Sequence, residues 1–307
     1  MKRWIVIAIF IFLSFVWGTT WSAIKFSLQG FPPFLGAMLR FSIALVCLAL
    51  YARFRGISLR ISRRHFAPLF WSAILLYLFD YGLIYWGEQY LYSGVTAIFF
   101  ATFPIFTGVV SNFIFRNEPF QWNKFFGLLL GFVGIFIIFN HQLLITEFNT
   151  MVILASLAII FSALAAAVSL VMVKKYLGGV NTIAMTFHQM LWGVLTLGIS
   201  GVLIGETSRI HLHLKPILAV GYLGVVGSAI AFVLYYTLLK KMSAITLSYI
   251  IYITPLVAIF TGWLVLDEQI TWHTIVGTLI IFSGIALSEM NRGESASADV
   301  ELEDALE

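Results

Sequence analysis

Between short polar links, this chain is a succession of apolar runs about 20 residues long. A helix needs roughly that many apolar residues to cross the hydrocarbon core of a bilayer. Ten runs read as spans: about 4–24, 34–52, 67–87, 93–115, 124–140, 151–173, 182–205, 216–239, 245–266 and 273–290. They are too long for barrel strands and show no alternation of polar and apolar positions. Charged residues make up 10% of the chain, against about 25% in soluble domains. Such a chain cannot cover a water-facing surface, which excludes a soluble enzyme and a disordered protein. A single cysteine, Cys47, excludes a secreted disulfide scaffold. The expected fold class is all-α integral membrane protein with ten transmembrane helices.

The first run follows Met1-Lys2-Arg3 and continues to about Ile24 without a small-residue cleavage site. It therefore reads as a span and not as a removable signal peptide. Lysine and arginine in the links give the orientation. With the N-terminus inside, 14 basic residues fall on the inner side and three, Lys25, Arg209 and Lys215, on the outer side. Both termini are thus expected in the cytoplasm and the protein in the cell membrane. The net charge of +4 reports this orientation, so no nucleic-acid partner is expected.

The two halves repeat. A shift of 150 places Trp122 on Trp272, Glu118 on Glu268, Gly127 on Gly277, Gly134 on Gly284, Ser93 on Ser243, Thr96 on Thr246 and Tyr85 on Tyr235. Pro104 meets Pro255 after a slip of one. The reading is two five-span repeats, 1–140 and 151–290, followed by an acidic tail, 291–307, that is expected to be disordered. Five is odd, so the repeats should be inverted. Inverted repeats are a common design of secondary transporters, with the site near midplane between them.

Several segments resemble a known family. Trp17-Gly18-Thr19-Thr20-Trp21-Ser22-Ala23-Ile24-Lys25 and Leu39-Arg40-Phe41 are similar to first- and second-span signatures of the drug/metabolite transporter superfamily. Pro104, Glu118, Gly127 and Gly134, then Pro255, Glu268, Gly277 and Gly284, resemble the ends of two EamA repeats. The resemblance covers residues 4 to about 290. It implies ten helices around a central cavity lined mainly by spans one, three, four, six, eight and nine. It also implies export or exchange of small metabolites.

Polar side chains inside a bilayer are costly and mark candidate sites. In span three, Tyr77, Asp80, Tyr81, Ile84, Tyr85 and Glu88 share one helical face. Asp80 lies roughly 20 Å from the inner end at 1.5 Å per residue. It can take a coupling proton, meet a substrate amine, or pair with Arg40 and merely pin helices. Trp17 and Trp21 share a face of span one with Lys25, which either attracts a carboxylate or snorkels to the interface. Thr96, Phe100, Tyr235, Tyr249 and Tyr252 complete the candidates for an aromatic cavity with sparse hydroxyls, although hydroxyls also glue helices together in lipid. Pro104 and Pro255 are candidate hinges. His188 reads as a packed, hydrogen-bonded histidine.

No nucleotide loop or metal helix occurs, so no cofactor, no metal site and no enzyme activity are expected. The function read from the sequence is a secondary active exporter of amino acids or related small metabolites, working by alternating access. Its partners are the bilayer and a small-molecule substrate, with a proton as candidate coupling ion. The rivals are a drug-efflux or sugar-type carrier on the same fold, and a non-transporting scaffold whose polar stripe would be plugged.

Overall fold

The computed structural model describes residues 2–91, 93–114, 122–144, 149–254, 256–257 and 272–289. Among these the regular structure is helical throughout. The helical segments are α1 (Arg3–Leu28), α2 (Pro33–Phe54), α3 (Arg63–Gly87), α4 (Val95–Ile114), α5 (Trp122–Leu144), α6 (Thr150–Tyr176), α7 (Thr182–Leu203), α8 (Leu214–Leu239), α9 (Ala244–Thr254) and α10 (Trp272–Glu289). Seven of them are long and apolar enough to cross a membrane: α1 to α4 and α6 to α8. Three shorter apolar helices lie within α5, α9 and α10. The chain is a multi-pass membrane protein. The tail 291–307, Pro255 and the paired Glu118 and Glu268 lie outside the described residues.

Local chemistry sets several boundaries. Pro33 opens α2, where its missing N–H costs nothing. Asn149 caps α6 by accepting from the Val152 N–H at 3.0 Å, and Asn181 caps α7 from Ile183 and Ala184. Buried Glu206 does the same for α2 from a distance, accepting from the N–H groups of Phe34 and Leu35. Helix α4 breaks at Ala101–Thr102, between its segments ending at Phe100 and starting at Phe103. Pro104 accounts for the break, because it cannot donate to the carbonyl of Phe100.

The duplication is visible in the packing. Helix α1 packs on α8, and α6 packs on α3. Helix α2 packs on α7, α4 on α9, and α5 on α10. The fifth helices cross antiparallel through glycines. A Cβ at Gly134 would lie 2.6 Å from the Gly277 carbonyl oxygen, and one at Gly277 would lie 2.6 Å from that of Gly134. Gly284 faces the Gly127 carbonyl at 2.5 Å in the same way. Only glycine permits so close a crossing.

Two further features recur about 150 positions apart. Ile74–Gly82 in α3 and Val225–Ile230 in α8 are wide π-helical turns. Lys25, at the end of α1, donates to the carbonyls of Glu88 and Leu91 just beyond α3. Lys174, at the end of α6, donates to those of Leu239 (2.5 Å) and Met242 (2.9 Å) at the end of α8. A cation at a helix C-terminus satisfies orphan carbonyls and meets the negative end of the helix dipole.

Candidate functional site

The π turns bring the site together. Such wide turns loosen the ordinary backbone ladder and are often found at functional sites. In α8, the Gly227 carbonyl accepts from Trp17 Nε1 at 3.3 Å and from Arg40 Nη2 at 3.2 Å. Ser228 Oγ accepts from Arg40 Nε at 2.7 Å. The guanidinium also lies over the rings of Tyr81 (4.8 Å) and Phe41 (5.1 Å). Arg40 is 1% exposed, and its Nη1 has no hydrogen-bond partner. The second repeat thus holds the buried cation of the first.

Asp80 sits in the π turn of α3, 3% exposed. Its Oδ1 has no hydrogen-bond partner. Arg40 is spent on Ser228 and Gly227, and its Nη1 and Asp80 Oδ1 do not meet each other. Each keeps an unmade bond, an expensive arrangement in a low-dielectric interior.

Asp80 lines a cavity of about 80 Å³, enough for a handful of waters. Its walls come from α1 (Trp17, Thr20, Trp21), α3 (Asp80, Tyr81), α4 (Phe100, Phe103), α6 (Ser169), α8 (Phe232, Tyr235, Tyr236) and α9 (Thr254). Trp17 packs on Tyr235 and Phe232, and Trp21 on Phe100. The wall hydroxyls of Thr20, Ser169 and Thr254 donate to backbone carbonyls. Among the fully buried polar atoms of this wall, the one without a partner is on Asp80.

Of the residues singled out in the sequence, Trp17, Trp21, Asp80, Tyr81, Phe100 and Tyr235 line this cavity. Tyr77, Tyr85, Thr96, Tyr249 and Tyr252 are buried but do not line it. The Tyr77 ring lies on Gly193 of α7. Tyr252 lies on Gly131 and donates its hydroxyl to the Leu128 carbonyl at 2.7 Å, which ties α9 to α5. His188 is hydrogen-bonded through Nε2 to the Leu59 carbonyl at 2.8 Å. Lys25 is occupied by helix-end carbonyls. The structure adds Gly227 and Tyr236 to the site and makes Ser228 the partner of Arg40. Glu88, at the C-terminal end of the α3 stripe, is fully buried with neither carboxylate oxygen hydrogen-bonded.

Comparison with known proteins agrees with this architecture. Residues 4–140 and 153–290 each match the EamA-like transporter family. An uncharacterized transporter of Bacillus subtilis (strain 168), YoaV, is 27% identical over 276 residues, covering 90% of this chain and 94% of that protein. An uncharacterized transporter of Archaeoglobus fulgidus is 27% identical, covering 93% and 98%. Protein PagO of Salmonella typhimurium is 25% identical, covering 95% of each. A solved crystal structure superposes with a TM-score of 0.79 at 19% identity, covering 94% of this chain and 98% of the other, which speaks to the fold alone.

Proposed function

This chain belongs to the EamA-like transporter family, and on that premise we propose that it is a secondary active exporter of amino acids or related small metabolites. Its ten spans form two inverted five-helix repeats, and the halves rock to open the cavity alternately to either side. The antiparallel glycine crossing of α5 on α10 supports the inversion. The cavity between helices of both repeats supports transport over a scaffold role, which would leave the polar stripe plugged.

One observation carries the substrate class. Asp80 Oδ1, in the cavity wall, and Arg40 Nη1, whose guanidinium does not line the cavity but lies over the ring of the wall residue Tyr81, are both buried without hydrogen-bond partners. A zwitterion satisfies both, its ammonium on Asp80 and its carboxylate toward Arg40. The Trp17, Trp21, Phe100 and Tyr235 walls receive its side chain. A second reading is a carrier of lipophilic amines, because a carboxylate within aromatic walls suits a cation without any anion. With the cavity empty of substrate, a proton on Asp80 removes the buried charge, and this is how a proton would couple to export.

Counterflow in proteoliposomes tests these readings with labelled amino acids and one lipophilic amine. Uptake of an amino acid is expected to fall about 10- to 100-fold in Asp80→Asn, the loss of one charged hydrogen bond. Equal counterflow by the variant removes Asp80 from the binding site. Counterflow of the amine alone moves the reading to a drug-efflux carrier.

A further inference from the structure

A second concavity lies apart from the central cavity, between the arginine-bearing end of α3 and helix α7. It measures about 810 Å³, against about 80 Å³ for the cavity. Its wall is apolar, with Phe66 from α3 and Phe187, Leu191 and Trp192 from α7. Trp192 packs edge-on against Phe66 at 5.8 Å. The flank is open, with Phe66 54% and Trp71 57% exposed. In a membrane protein such a flank faces acyl chains.

The mouth of this groove is basic. Residues 58–61 line it and are held on α7 by the hydrogen bond from His188 to the Leu59 carbonyl. Arg60 lies at the rim, and Arg63 and Arg64, which are not part of the groove wall, open α3 within one turn of Phe66, which is. All three arginines are exposed, as are Arg53 and Arg55 nearby. No aspartate or glutamate occurs in the first 79 residues. The buried carboxylates Asp80, Glu88 and Glu206 do not line the groove. Among the described residues the cluster therefore has no counter-ion from its own neighbourhood, and the apolar wall below it has no cover.

One kind of molecule answers both needs at once. We propose that this groove binds an anionic phospholipid, its phosphate held by Arg60, Arg63 and Arg64 and an acyl chain lying on Phe66, Leu191 and Trp192. By the distribution of lysine and arginine this end of α3 is cytoplasmic, the side on which anionic lipid attracts basic segments. The acidic tail of this chain, with Glu301, Glu303 and Asp304, is a rival counter-ion. It has no aromatic residue to fill the wall.

The test uses the full chain in phosphatidylcholine vesicles doped with brominated phosphatidylglycerol or brominated phosphatidylcholine. Quenching of Trp192 is read as the difference between wild type and Trp192→Phe. Each arginine near the surface contributes about fivefold in preference for an anionic lipid. Phosphatidylglycerol is therefore expected to quench at well under a tenth of the mole fraction that phosphatidylcholine needs. The preference is expected to vanish in R60Q/R63Q/R64Q, and in wild type at about 1 M salt, where the Debye length is about 3 Å. Equal quenching by the two lipids overturns the proposal, as does a preference that survives both treatments. A preference that appears only in E301Q/E303Q/D304N also overturns it, because the tail then occupies the groove.

Discussion

Arg40 shows how a single residue ties the repeats together. It contributes a guanidinium that is 1% exposed, and both of its hydrogen-bond partners lie in α8. Leaving buried acceptors without their charged donor typically costs about 1–3 kcal/mol. Arg40→Met is expected to lower the denaturation midpoint of the purified protein by that order, and Arg40→Lys by less, since it keeps the charge and loses the fork. An unchanged midpoint in Arg40→Met would mean that the contacts to Ser228 and Gly227 carry no stability. The sequence exposes Arg40 as a candidate because charge inside a span is rare. It does not expose the partners, a serine and a glycine carbonyl 188 and 187 positions away. Backbone carbonyls leave no mark in a sequence. The same holds for Tyr77 and Tyr252, whose helical spacing matches the site stripe while the glycines they cover, Gly193 and Gly131, lie on other helices.

At the scale of elements, apolar length is legible and backbone hydrogen bonding is not. The runs place α1 to α4 and α6 to α8 within a few residues of their ends. The π turns of α3 and α8 have no composition of their own, so Asp80 and Ser228 reach their settings through a geometry that periodicity does not report. The glycine spacing of α5 reads as a packing signal, and its target is α10. Because Gly134 and Gly277 each face the other's carbonyl oxygen at 2.6 Å, an alanine at either must push the helices apart. Gly134→Ala and Gly277→Ala are each expected to destabilise the protein by about 1–3 kcal/mol. The double variant should cost less than the two together, since the first displacement makes room for the second methyl. Strict additivity in thermal denaturation would show that the two glycines do not share one crossing.

For the molecule as a whole, the 150-residue shift carries most of what the sequence tells about architecture, because duplicated residues survive as pairs. The orientation expected from the distribution of lysine and arginine has its own check. In a Cys47→Ala background, Arg64→Cys is expected to react with an impermeant thiol reagent only from the cytoplasmic side, and Ser208→Cys only from the outside. Labelling of both from one side would reverse or break the assigned topology. What the shift does not reveal is which helix of one repeat touches which helix of the other, since contact between halves is a property of the fold and not of either copy.

The glycine crossing of α5 and α10 has one more implication. Shifting the Gly134–Gly277 contact by 150 gives Gly284–Gly127, which is the other contact of the same crossing. The interface maps onto itself, as an isologous contact does in a two-fold dimer. A protein made of one half alone would meet a second copy of itself through this surface, and a single change there would alter both sides at once. In one continuous chain the two sides are separate positions, so either can change while the other holds the crossing.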